Sequence, residues 1–153
     1  MEWLRNIIDL SYYFTFFIKS NQNSIRILIH HDIKSDEQIN LFKKQINNLS
    51  KEYDFISPKE FEDIIKSQKL KGKKLLLTFD DGFKSNRVIA ESVLKTNGIK
   101  AVFFIISDFI GLKTNSLNYS KIICNIYPNG PTLNELSEPM DNDDIQFLIN
   151  SGH

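Results

Sequence analysis

Short unbroken apolar runs alternate with amphipathic stretches along most of this chain. Residues 26–30 read RILIH, a β-branched run that predicts a buried strand. Ser35 with Gln38 three residues on forms a capping box, and Ile39, Phe42, Ile46 and Leu49 then recur at helical spacing. Residues 53–56 predict a second strand. Ser57-Pro58-Lys59-Glu60 opens another helix: Ser caps, Pro sits where no N–H is needed, and Glu closes the box. Phe61, Ile64 and Ile65 form the expected inner face of that helix. Residues 75–79 (LLLTF) predict a third strand running into Asp80-Asp81-Gly82. A helix over 85–96 is expected to bury Val88, Ile89, Val93 and Leu94 and to stop at Asn97-Gly98, before a fourth strand at 101–106 (AVFFII).

Apolar runs without alternation, separated by amphipathic helices, predict strands covered on both faces. That is a parallel sheet built from βαβ crossovers, so the fold class is α/β. Beyond Ser107 the pattern loosens into a polar stretch at 111–118, a short apolar piece at 121–127 and a loop at Pro128-Asn129-Gly130-Pro131. Asp141-Asn142-Asp143-Asp144 is similar to the opening of a calcium loop, but Ile145 stands where another oxygen ligand belongs and no glycine follows. A capped helix start is the better reading, with Ile145, Leu148 and Ile149 as its buried face and Gly152 at its end.

Residues 1–24 stand apart as an amphipathic, aromatic segment. Its start is charge-neutral, Asp9 interrupts the apolar run and no small-residue cleavage site follows, so no secretory signal is recognised. Residues 10–18 are too short to span a bilayer, which takes about 20 residues. The expectation is a cytoplasmic or peripheral membrane protein. Trp3, Tyr12, Tyr13, Phe14, Phe16 and Phe17 suit either packing on the main domain or resting at a membrane interface.

Composition narrows the function classes. The 153 residues, 41% hydrophobic and 25% charged, suit one globular domain over 25–153. Lys+Arg and Asp+Glu are both 19, and a formal net charge of zero argues against a nucleic-acid binder. The single cysteine, Cys124, excludes a disulfide framework and reads as a small core residue. The length is also short of a complete (β/α)8 barrel, which usually needs about 200 residues or more.

The chemistry gathers at Asp80-Asp81-Gly82, directly after a central strand, where α/β proteins place their working residues. Adjacent residues leaving a strand point to opposite sides. One carboxylate can therefore hold a cation while its neighbour accepts a proton. The tripeptide by itself reads first as a plain turn. An acidic-pair receiver domain with magnesium would need a phospho-accepting Asp at a later strand end; Asp108 is the one candidate, and no suitable strand follows it.

The longer string LLLTFDDGFKSNRVIAESVLKTNGIKAVFFI resembles the polysaccharide deacetylase (NodB-homology, carbohydrate esterase) family. RILIHHDI upstream resembles the family's Tyr-His-x-Ile segment, YDFISPKEFEDII its following strand and helix, and DDIQFLINSGH the helix that precedes its histidine motif. The resemblance implies the N-terminal part of a distorted (β/α) barrel. It also implies a divalent-metal hydrolase that removes N-acetyl groups from a polysaccharide or sugar derivative. Asp80 then matches the general base and Asp81 the metal-ligating carboxylate, with Zn2+ the cation that suits one carboxylate and two imidazoles. The family's His-Ser/Thr-x-x-x-His motif would follow Gly152-His153, so His153 matches the histidine before it and not a ligand. With one carboxylate and neither histidine, the 153 residues are expected to be incomplete at the C-terminus and inactive alone. The alternative is a non-catalytic binding or assembly module of the same fold. His31 aligns with the family's Tyr-His histidine and is placed at the active-site mouth; His30 takes the usual tyrosine position.

Overall fold

The computed structural model describes residues 23–128 and 137–153. The aromatic N-terminal segment, apart from its last two residues, and most of the loop after Tyr127 lie outside the described residues. Four parallel strands form one sheet: β1 (Ser24–His30), β2 (Asp54–Phe55), β3 (Lys73–Phe79) and β4 (Ala101–Phe103). β3 is central. β1 pairs along its whole length, from Ser24 opposite Lys73 to His30 opposite Phe79. β2 meets only Lys74 and Leu75, and β4 only Leu77 to Phe79. The helices are α1 (Asp36–Leu49), α2 (Pro58–Ser67), α3 (Lys84–Ile89), α4 (Leu117–Ile126) and α5 (Asn142–Asn150).

The helix starts follow the local chemistry. The Ser35 side chain accepts from the Gln38 N–H at 3.2 Å while Gln38 Oε1 accepts from the Ser35 N–H at 3.0 Å. Ser57 and Glu60 make the same reciprocal pair ahead of α2, with Pro58 in the first turn. Asp141 and Asp144 make it at α5, which bears out the capped start there. The third helix departs from expectation. It begins at Lys84 without a side-chain cap, and after Ile89 it widens into a π-turn over Ala90–Leu94 and tightens over Lys95–Asn97.

One face of the sheet carries the core. Leu75, Leu77 and Phe79 of β3 and Ala101 of β4 pack against Phe42 and Ile46 of α1, against Ile89, Val93 and Leu94, and against Leu148 of α5. His30, Phe79 and Phe103 stand in register across β1, β3 and β4. The rings stack at 5.4 and 5.0 Å, with Phe42 edge-on to His30.

The other face is covered at its centre, where Leu76 and Thr78 of β3 are buried, but not at its flanks, which corrects the expectation of full cover on both sides. Ile27 and Ile29 of β1 and Phe104 beyond β4 are 53%, 52% and 57% exposed. The physical reason is that α1, α3 and α5 all lie on the core side, while α2 buries no residue fully and leaves Ile65 exposed. Val88 and Ile149 are also exposed rather than buried, since their helices turn narrower stripes to the core. Cys124 is exposed as well, because α4 docks through Tyr119 and Ile123 instead. The fourth strand ends at Phe103, short of the expected Ile106.

A second, smaller cluster joins Phe83, Phe109, Tyr119 and Ile123. It anchors α4 beside the residues that follow β3, and the loosened hydrophobic pattern there concealed it. Phe83 also bridges to Pro139, and the Lys84 N–H donates to the Glu138 carbonyl at 2.7 Å, so the chain leading into α5 is pinned to the start of α3. His153 packs on β4, where its Nδ1 accepts from the Ala101 N–H at 3.1 Å and its ring lies edge-on to Phe103.

Candidate active site

Hydrogen bonds carry the sheet one step past β3. The Asp80 N–H donates to the His30 carbonyl at 2.8 Å and the Phe104 N–H to the Phe79 carbonyl at 2.8 Å. The chain then reverses within three residues. The Gly82 N–H donates to the Asp80 carbonyl at 2.9 Å, with Asp81 between them at φ +73°. That is the pattern of a γ-turn with positive φ, a rare and strained conformation. Aspartate tolerates left-handed backbone better than most side chains, at a cost of about 1–2 kcal/mol.

Three contacts hold the turn. Fully buried Asn86 donates from Nδ2 to the Asp80 carbonyl at 3.3 Å, the Met140 N–H donates to the Gly82 carbonyl at 2.9 Å, and the Ile106 N–H donates to the Asp81 carbonyl at 3.3 Å. Gly82 is required twice over. Its φ is +92°, and a Cβ there would stand 2.8 Å from Ile105 Cγ2.

The turn separates the two carboxylates. Asp80 continues the alternation of Leu76 and Thr78 and faces a hollow of about 320 Å³ on the open side, walled by Ile27, Ile29, Val102 and Phe104 with Pro58 and Phe61 of α2. Burial raises its pKa, the like charge of Asp81 adds to the rise, and His31 opposes it. Asp81 turns instead toward the loop after β1, where its Oδ2 lies 2.8 Å from His31 Nδ1. That hydrogen bond, followed in effect by the charges of Asp81 and Asp80, raises the His31 pKa against partial burial. His30 points the opposite way, into the core, and burial pushes its pKa down to about 4. Successive strand residues face opposite sides, and only His31 can reach the acids.

Two participants carried no signal in the sequence. Tyr127, at the end of α4, places its hydroxyl 3.3 Å from Asp81 Oδ2. Asp32, next to the histidine pair, accepts from Ser85 Oγ and from the Ser137 N–H at 2.7 Å, tying the β1 loop to the start of α3 and to the approach to α5. The partners lie 46 to 105 residues apart, so no local pattern reveals them. A wider groove, about 830 Å³ and lined by residues such as Lys34, Ser85, Thr114 and Ser137, does not include the acidic pair in its lining.

Asp81 suits one position of a divalent-cation site, being a carboxylate held in place by neighbouring donors. Among the described residues no group of three or more His, Cys, Asp or Glu gathers to complete such a site. No helix among them is long and apolar enough to cross a membrane.

The fold is a parallel α/β sheet with an acidic pair turned out at the end of its central strand, and comparisons with known proteins narrow that class. The sequence pattern of the polysaccharide deacetylase family matches residues 67–139. A putative polysaccharide deacetylase of Bacillus subtilis, YxkH, is 36% identical over 93 residues, covering 57% of this chain and 33% of that protein. The structure of IcaB from Ammonifex degensii superposes with a TM-score of 0.64 at 25% identity, over 85% of this chain and 50% of that one. A de-N-acetylase from Aggregatibacter actinomycetemcomitans shares the fold, with a TM-score of 0.59 at 20% identity over 84% and 51%. The chain is similar to the polysaccharide deacetylase family over residues 67–139, and its parallel sheet superposes on part of the fold of these solved structures. It spans about a third of the length of the Bacillus relative and about half of each of the two solved structures.

Proposed function

We propose that this chain carries the acid–base half of a de-N-acetylase site, acting on N-acetylated glycans or sugar derivatives. The observation that carries the reading is the γ-turn, which aims Asp80 and Asp81 from adjacent positions into different surroundings. Asp80 is the general base. Its partly buried carboxylate, with a raised pKa, takes the proton from a water attacking the acetyl carbonyl. As the new C–O bond forms and the C–N bond breaks, acetate departs and the amine needs a proton. His31, whose protonated form Asp81 favours, stands beside Asp80 to supply it. Asp81 would hold the divalent cation, in this reading zinc, whose chemistry is to polarise the carbonyl and acidify the water.

The test is acetate release from N-acetylglucosamine oligomers, with Zn2+ supplied, by the chain extended through the family's His-Ser/Thr-x-x-x-His motif. Asp80→Asn should lower the rate by about 10²–10⁴-fold with the fold intact. A second reading, a non-catalytic module, is favoured by the incomplete donor set among the described residues. Absence of acetate release at any zinc concentration would select it.

A further inference from the structure

His31 comes from the loop after β1, whereas Asp80 and Asp81 stand on the turn after β3, 50 residues away. Asp32, the next residue in the β1 loop, bonds two further segments that both touch that turn. We propose that Asp32 is a positioning residue: it registers the loop that carries His31 against the turn that carries the acidic pair. The proposal rests on the reading of His31 as the proton donor beside Asp80 and adds to it what sets their spacing.

Each partner of Asp32 belongs to a segment that also grips the turn. Oδ1 accepts from Ser85 Oγ, and Asn86, the following residue, donates from Nδ2 to the Asp80 carbonyl at 3.3 Å. Oδ2 accepts from the Ser137 N–H at 2.7 Å, and Met140, three residues on, donates its N–H to the Gly82 carbonyl at 2.9 Å. The first turn of α3 and the approach to α5 therefore hold both halves of the site, and Asp32 is the side chain that joins the β1 loop to them. Its neighbours divide the remaining work. Ile33 seats the loop in the core, while the His31 ring, 41% exposed, bonds Asp81 through one nitrogen. A carboxylate suits the task, because its two oxygens accept from a hydroxyl and a backbone N–H together, and bonds to an ionised acceptor are the stronger kind. Such registration matters for catalysis, since a misplacement of about 1 Å between reacting groups can cost about 10²-fold in rate.

The test compares Asp32→Ala, Asp32→Asn and Ser85→Ala. First, without metal, the nuclear Overhauser effect between the ring protons of His31 and Tyr127, whose centroids lie 6.3 Å apart, reports where the loop sits. It should be present in the unsubstituted chain and weaken in Asp32→Ala and in Ser85→Ala. It should return in Asp32→Asn, whose oxygen still accepts from the Ser137 N–H while its amide donates to Ser85 Oγ. A full-strength effect in Asp32→Ala, or none in the unsubstituted chain, overturns the positioning role. If Asp32→Ala does not fold, a full-strength effect in Ser85→Ala overturns it equally. Second, in the acetate-release assay Asp32→Ala should lower kcat by about 10²-fold with KM unchanged, and Asp32→Asn should restore it. A displaced His31 ring with kcat unchanged sinks the reading of His31 as proton donor instead, and the Overhauser effect then still judges Asp32 on its own.

Discussion

The two faces of the sheet are built from the same strands and the same residue types, yet they serve opposite ends. On the core face, Leu75, Leu77, Phe79 and Ala101 lie under three helices and are almost wholly excluded from solvent. On the other face, the flanking strands leave Ile27, Ile29 and Phe104 more than half exposed, and Asp80 sits at the rim of the hollow they line. The contrast teaches that an apolar strand run reports a capacity for burial and not its fulfilment. Burial is extensive on one side and confined to Leu76 and Thr78 of the central strand on the other.

The sharpest way to break this comparison is a pair of truncations in equilibrium denaturation. Leu77→Ala, on the core face, should cost about 3–4 kcal/mol, whereas Ile29→Ala, on the open face, should cost less than about 1 kcal/mol. Equal losses would show that the open face is covered in solution.

The adjacent histidines sharpen the comparison through pH. His30 on the core side has its pKa pushed down to about 4, against about 6.5 in the unfolded chain. Between those values the unfolded state binds a proton that the folded state does not. Stability from this residue is therefore complete above about pH 6.5 and falls as the pH drops toward 4, by on the order of 2–3 kcal/mol. His153, also near 4 but half-exposed, adds a smaller loss of the same sign. His31, with its pKa raised by Asp81, acts in the opposite sense, contributing below about pH 6.5 and losing its share as the pH rises. Urea midpoints for His30→Phe, which keeps a ring beside Phe42 and Phe79, should decline less between pH 7 and pH 5 than those of the unsubstituted chain. A parallel decline would remove His30 from the account.

At the seam between the faces, Gly82→Ala should destabilise by about 1–2 kcal/mol, because it adds left-handed strain to the clash with Ile105. Its amide spectrum should change around Asp80 and Asp81 and little around α2. A silent substitution would mean that the turn relaxes without its glycine.

Much of this protein was legible in the chain itself. The capping boxes at Ser35, Ser57 and Asp141 are local hydrogen-bond patterns three residues long, and the apolar runs of β1 and β3 carry their strands wherever they pack. The Asp80-Asp81-Gly82 turn is signalled locally by its glycine, although Asn86, Ile106 and Met140 hold it from elsewhere. The tertiary structure decided which face of each strand is covered, because that depends on where α1, α3 and α5 land and not on the strand. It decided that His31 and not His30 meets Asp81, through the pleat and register of β1 against β3. It also brought in Tyr127 from 46 residues away and Asp32 to Ser137 across 105. Contacts at such separations are set by the packing of Phe83, Phe109 and Tyr119, a sum of many small dispersion contacts that leaves no periodic trace in the sequence.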